Sequence, residues 1–239
     1  MIQNYGENIK SKIDKVILED RESISKAASL IYQTIQSGGK FFVVGSGHSH
    51  MMAEEIYVRA GGFAAIHPIL DPELMLHQHP LKSTMVERLS GYAEMLLDRY
   101  QVGKNDVIMI ISNSGRNAFP VEMAMGAKER GSKVIAMTNL AHSSAVQSRH
   151  VSKKKLMDLA DLVLDNGGDF GDAATEIMGL EPKVGATSTI MGAFIMQVLM
   201  MEVMGEYLKE GLEPPVFKSS NVDGADERNR NLMAEYCGI

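Results

Sequence analysis

Two short segments hold residue types that could grip an anion. The first is Val43-Val44-Gly45-Ser46-Gly47-His48-Ser49-His50, the second Ile110-Ile111-Ser112-Asn113-Ser114-Gly115-Arg116-Asn117. In each, an apolar run of the kind that forms a buried strand ends in glycine and small hydroxyl residues, and a helical pattern follows. Such a turn bares backbone N–H groups and hydroxyls at the positive end of a helix, which suits a phosphate. Two such turns, separated by a further strand and helix, argue for one phosphorylated ligand at the C-terminal ends of a parallel sheet. Neither is a nucleotide signature: the first lacks the third glycine of a dinucleotide turn, and no Gly-Lys-Ser/Thr follows it. Each turn alone is also what an ordinary Ser-capped strand-to-helix junction looks like.

The elements that must position these turns follow from periodicity. Apolar residues recur at helical spacing through 7–37 (Ile9, Ile13, Val16, then Ile24, Ala27, Ala28, Ile31, Ile35), and Ser37-Gly38-Gly39 stops the pattern. Strands are expected over 41–44, 65–70, 107–111, 133–138 and 162–164, with helices over 51–60, 82–100 (weakened at Gly91), 120–130 and 186–209. Continuous apolar runs such as Val107-Ile108-Met109-Ile110-Ile111 suit strands covered on both faces, and alternation with helices gives right-handed βαβ units. The expected fold class is α/β: a doubly wound parallel five-stranded sheet with N-terminal helices and a long C-terminal helix. That last helix, rich in Met191, Met196, Met200, Met201 and Met204, is apolar nearly all round. One small domain could not easily cover it, so a homodimer or homotetramer is expected, with this helix and the N-terminal pair in the interface.

Bulk composition removes several classes of function. At 45% hydrophobic and 23% charged residues the 239-residue chain is ordinary for a globular protein. A net charge of −6 offers no footprint for nucleic acid or an anionic membrane, so neither is an expected partner. The single cysteine, Cys237, excludes an intrachain disulfide. Residues 1–7 are polar and acidic where a leader would be basic, and 190–204 contain Gln197 and Glu202 and fall short of the ~20 residues that span a bilayer. A cytoplasmic location is expected.

The pairing of Gly45-x-Gly47-x-Ser49 with Ser112-x-Ser114-Gly115 resembles the sugar isomerase (SIS) domain, a flavodoxin-like fold that binds phosphosugars. A third match is Val184-Gly185-Ala186-Thr187-Ser188-Thr189, like the family's small-residue turn before its last helix. The resemblance covers about residues 35–210 and implies one SIS domain over 1–239: N-terminal helices at 1–37, the core at 38–210 and a C-terminal tail at 211–239. It is nearest to small stand-alone SIS proteins labelled phosphoheptose isomerases. The implied ligand is a small-molecule sugar phosphate, its phosphate held by Gly47, His48, Ser49, Ser112, Asn113, Ser114, Gly115, Asn117, Ser188 and Thr189. Two departures stand out: Ile190 replaces the lysine many relatives carry after the third motif, and no histidine follows His150.

Aldose–ketose isomerisation needs a base for the proton α to the carbonyl and an acid for the oxygens. Family resemblance places a catalytic glutamate on the helix after the first turn, where Glu54 and Glu55 stand, and Glu55 is one candidate base. Asp71-Pro72-Glu73-Leu74-Met75-Leu76-His77-Gln78-His79-Pro80 follows the second strand on the ligand side, so Glu73 and His77 are further catalytic candidates. Glu181 is another carboxylate near the third motif. Two His-x-His pairs have a spacing that can ligate zinc, but no regular element or cysteine supports them; no metal and no cofactor is assigned. The expected function is a sugar-phosphate isomerase working through an enediol. Two alternatives are a non-catalytic sugar-phosphate sensor and an etherase or lyase on a substrate like N-acetylmuramic acid 6-phosphate.

Overall fold

The computed structural model describes residues 1–77 and 79–238. Its centre is a parallel sheet of β1 (Phe41–Gly45), β2 (His67–Pro68), β3 (Val107–Ile111), β4 (Lys133–Thr138) and β5 (Leu162–Asp165), in the order β2-β1-β3-β4-β5. This is the flavodoxin-like order, and the strand sequence reverses between β1 and β3. The two strands run in register from Phe41 beside Val107 to Gly45 beside Ile111, so the two hydroxyl-rich turns leave the sheet side by side.

Strand side chains alternate between two cores, as the two-residue period requires. Phe41, Val43, Val107, Met109, Ile135 and Met137 face one layer, and Phe42, Val44, Ile108, Ile110, Val134 and Ala136 the other. The first layer holds α1 (Ile2–Glu19), α2 (Arg21–Gln36), α3 (Met51–Ile56) and α9 (Ser188–Lys209). The second holds α5 (Tyr92–Arg99), α6 (Ala118–Glu129) and α8 (Leu156–Leu159), with α4 (Pro80–Glu87) lying near the turn after β1 and against α6. A short α7 (Leu140–Ala145) follows β4, capped by Asn139, whose side chain accepts from the His142 N–H at 2.9 Å.

Several boundaries depart from the periodicity. The helix expected over 51–60 ends at Ile56, because Tyr57 is extended and Val58 turns to φ +46°. The strand expected over 65–70 shrinks to two residues. The chain just before it pairs with the tail instead: Phe63 bridges Val216, and the Ala64 N–H donates to the Pro215 carbonyl at 2.8 Å. Pro68, with no N–H to donate, also limits β2 to a sheet edge. The single helix expected over 82–100 is two. Glu122 of α6 accepts the Gly91 N–H at 2.7 Å and the Ser90 hydroxyl, holding the break open. A hairpin of β6 (Ala173–Thr175) and β7 (Val184–Ala186) precedes α9. The tail is more ordered than a surface wrap: Phe217 and Ala225 are buried, and α10 (Ala225–Leu232) runs into a π-helical turn at Met233–Cys237.

Helix α9 is long and apolar enough to cross a membrane by length and composition alone, a test that core helices also pass. One face, including Met191, Ile195, Met196, Leu199 and Val203, is buried in the first core. Ile190, Met201 and Leu208 are exposed on the other.

Candidate functional site

Two close approaches shape the turns. A Cβ on Gly45 would lie 2.4 Å from the Ser49 carbonyl oxygen, so only glycine lets the chain fold back into the short 3-10 turn Gly47–His50. Gly115 has φ +57°, and a Cβ there would lie 2.9 Å from that of Leu156. Its own carbonyl accepts the Leu156 N–H at 2.9 Å, which ties the second turn to α8.

The turns face a cavity of about 290 Å³, near the lower end of the roughly 300–1,000 Å³ usual for small-molecule sites. From the first turn it is lined by Ser46, Gly47, His48 and Ser49, and from the second by Ser112, Asn113, Ser114 and Asn117. Leu76, Ser83, Thr84 and Glu87 close it on the α4 side, and Asp172 on the hairpin side. Larger hollows lie under the tail and along the outer face of α4, but neither has a comparable set of hydroxyls.

Part of this polar lining is committed to the fold. Ser112 is only 5% exposed, and its hydroxyl accepts the Gly115 N–H at 3.2 Å. Asn113 accepts from Asn166 Nδ2 at 2.6 Å, and its carbonyl accepts the Thr138 hydroxyl at 3.0 Å. Among the described residues, the hydroxyls of Ser49 and Ser114 have no protein partner, so they remain available to a ligand. The cavity lining contains no Lys or Arg. An anion there would be held by N–H and O–H dipoles, as at other helix-start sites.

The third expected turn is used differently. Asp172, in a left-handed conformation at φ +71°, accepts the Thr187 and Ser188 N–H groups at 3.0 and 2.7 Å and the Ser188 hydroxyl at 2.7 Å. A carboxylate thus occupies the start of α9 where phosphate binding by Ser188 and Thr189 was expected, and neither residue lines the cavity.

The expected acid–base groups lie apart from the cavity. Glu55 pairs with Arg59 and accepts from Gln197 Nε2 at 3.2 Å, which turns it toward α9. Glu73 pairs with Lys82, and His77 is exposed; neither lines the cavity. Glu87 and His48 do line it. Periodicity could not have singled out Glu87, because only the folding of α4 across both turns brings it there. Glu54 pairs instead with His50, which is 1% exposed: Nδ1 lies 2.9 Å from Glu54 Oε1 and Nε2 is buried without a partner. Burial holds the His50 pKa below the ordinary 6.5, against the opposing pull of Glu54. The ring is therefore neutral near pH 7, donating from Nδ1. His48 and His50 point to different surroundings, and among the described residues no three His, Cys, Asp or Glu side chains gather as metal ligands.

Fold and site together define a flavodoxin-like α/β domain with a hydroxyl-lined cavity between the turns that follow β1 and β3. The family model described as SIS domain matches residues 4–139, and the chain belongs to the SIS domain family. It is 54% identical over 215 residues, 90% of this chain and 89% of the relative, to a UPF0309 protein of Halalkalibacterium halodurans. A phosphoheptose isomerase from Neisseria gonorrhoeae has a similar fold, with a TM-score of 0.59, 16% identity and coverage of 85% of this chain and 97% of that one. So does the sugar isomerase domain of an RpiR transcription factor from Sphaerobacter thermophilus, with a TM-score of 0.51, 17% identity and coverage of 100% and 96%.

Proposed function

We propose that this chain, as a single SIS unit over residues 1–239, is a cytoplasmic homo-oligomeric sugar-phosphate isomerase acting through an enediol. The observation that carries the reading is that Glu87 and the unpartnered hydroxyls of Ser49 and Ser114 line one cavity of about 290 Å³. Ser49 and Ser114 donate to the phosphate together with N–H groups of the two turns, and the start of each following helix adds its dipole. Glu87 removes the proton α to the carbonyl and returns it to the neighbouring carbon. His48 moves the hydroxyl proton between the two oxygens. Asp172 has its carboxylate engaged by three donors and takes no part in the proton transfer. The exposed residues of α9 and the apolar groove formed by Val16, Ile17, Phe194 and Val198 supply the homodimer contact.

A sensor is the second reading, favoured by the lack of any histidine beyond His150 on or after α9. An etherase or lyase would share the same first proton abstraction. The discriminating experiment incubates a panel of hexose and heptose phosphates with the protein in heavy water and follows C–H exchange by proton NMR. The isomerase reading expects exchange with at least one compound, abolished in Glu87→Gln with binding retained. Exchange that survives Glu87→Gln moves the base to Glu55, Glu73 or His77. No exchange with any bound compound assigns the sensor.

A further inference from the structure

Beside the cavity, outside its lining, three arginines come together with too few acids to balance them. The Arg149 N–H donates to the Arg116 carbonyl at 2.8 Å, which fixes the 147–155 loop against the second hydroxyl turn. Arg149 Nη1 donates to Asn117 Oδ1 at 3.1 Å, and Asn117 lines the cavity. Arg88 directly follows the cavity residue Glu87. The Nε of Arg116 is enclosed by protein and has no hydrogen-bond partner. Among the described residues, none of the three guanidinium groups is in an ion pair.

These charges act on one another. The Arg149 pKa is lowered first by burial and then by Arg116 and Arg88, with Glu87 as the one acid opposing them. Arg116 also lowers the pKa of His142, after burial. The nearby Lys155 is not a fourth member, since its ammonium is spent on the Ser143 and Val146 carbonyls. Glu122 is engaged by Ser90, Gly91 and His150. A cluster of like charges that leaves an enclosed guanidinium nitrogen unsatisfied costs folding free energy, and an incoming anion would remove that cost.

We propose that Arg116 and Arg149, with Arg88 at the rim, bind a second acidic group of the ligand. The substrate class is then a sugar phosphate that also carries a carboxylate or a second phosphate at the end projecting from the cavity. This rests on the phosphate being held by Ser49 and Ser114. The planar guanidinium fork suits either group, as both present paired oxygens.

The test compares glucose 6-phosphate, 6-phosphogluconate, fructose 1,6-bisphosphate and gluconate by calorimetry against the wild-type protein, Arg116→Ala/Arg149→Ala and Arg149→Lys. The expected result is binding of 6-phosphogluconate or the bisphosphate at least tenfold tighter than glucose 6-phosphate. The ratio falls to within twofold in the double alanine variant and to an intermediate value in the lysine variant, which keeps charge but loses the fork. Circular dichroism verifies that each variant is folded, and Arg88→Ala gives the same direction of change should the double variant unfold. Three results overturn the proposal: equal binding of ligands with one and with two acidic groups, a preference that survives the variants, or equal loss of glucose 6-phosphate and diacid binding. The last would assign the arginines to the phosphate itself. Dissociation of a dimer in the variant, with no ligand preference in the wild type, assigns them to an interface and also overturns it. If none of the phosphorylated ligands binds, the phosphate reading fails as well, whereas equal binding fails this inference alone.

Discussion

Replacing Asp172 tests how the hairpin and α9 are joined, and it should have effects of opposite sign on stability and on ligand binding. The carboxylate accepts three hydrogen bonds of 2.7 to 3.0 Å at the first turn of a 22-residue helix. Loss of a helix-start acceptor costs about 0.5–2 kcal/mol, and loss of its charge from the positive helix end about 0.3–1 kcal/mol more. At φ +71° alanine also meets the left-handed steric penalty that aspartate tolerates, about 1–2 kcal/mol. Asp172→Ala should therefore destabilise by about 2–5 kcal/mol, a fall of roughly 4–20 °C in Tm for a chain of this size. Asp172→Asn keeps an acceptor and a tolerant backbone, so about 1 kcal/mol is expected. Because Asp172 lines the cavity, both variants also remove a negative charge that opposes the phosphate. Binding of glucose 6-phosphate by Asp172→Asn should then tighten about fivefold, equivalent to about 1 kcal/mol of relieved repulsion. The assays are urea denaturation at pH 7.5 and titration calorimetry. An Asp172→Ala loss below about 0.5 kcal/mol, or weaker phosphate binding in Asp172→Asn, refutes the reasoning.

Further outcomes follow from the same contacts. Burial lowers the pKa of His50, His67 and His142 below 6.5, so the unfolded chain binds more protons than the folded one below that pH. Stability should be retained above pH 6.5 and fall as the pH drops toward the folded-state values. His50→Gln should flatten that slope in denaturation curves measured from pH 7.5 to 5.5. Gly115→Ala meets both a left-handed φ and the Leu156 side chain, so a loss of about 1–3 kcal/mol in urea denaturation and weaker sugar-phosphate binding are expected. Met201→Lys, on the exposed face of α9, should shift a homodimer toward monomer in sedimentation with little change in monomer secondary structure.

The parts legible in the sequence were those in which one local pattern sufficed. Strands β1, β3 and β4 are continuous apolar runs, and their two-faced burial is what such runs require. The two hydroxyl turns pointed to one place, and the adjacency of β1 and β3 in the sheet brings them to the same cavity. Other features depended on contacts far apart in the chain. β2 is only two residues long, and residues 61–64 before it bond to the tail around Val216, which nothing near residue 65 signals. Glu87 reaches the cavity through the packing of α4 on the first turn and α6, and Glu122, 31 residues beyond Gly91, holds the turn between α4 and α5. Asn139 is an exception, a helix-start signal present in the sequence that marks the short α7. Ser188 kept its place at the start of α9, but its expected anion is supplied by the chain itself.

In the proposed function, the uncommitted hydroxyls of Ser49 and Ser114 hold the phosphate. Titration calorimetry of fructose 6-phosphate and of fructose against wild type and Ser49→Ala/Ser114→Ala tests it most directly. The expected result is binding of the phosphate ester only, weakened at least tenfold, about 1.4 kcal/mol, in the double variant. Equal binding of the free sugar, or unchanged affinity for the ester in a folded double variant, would contradict it.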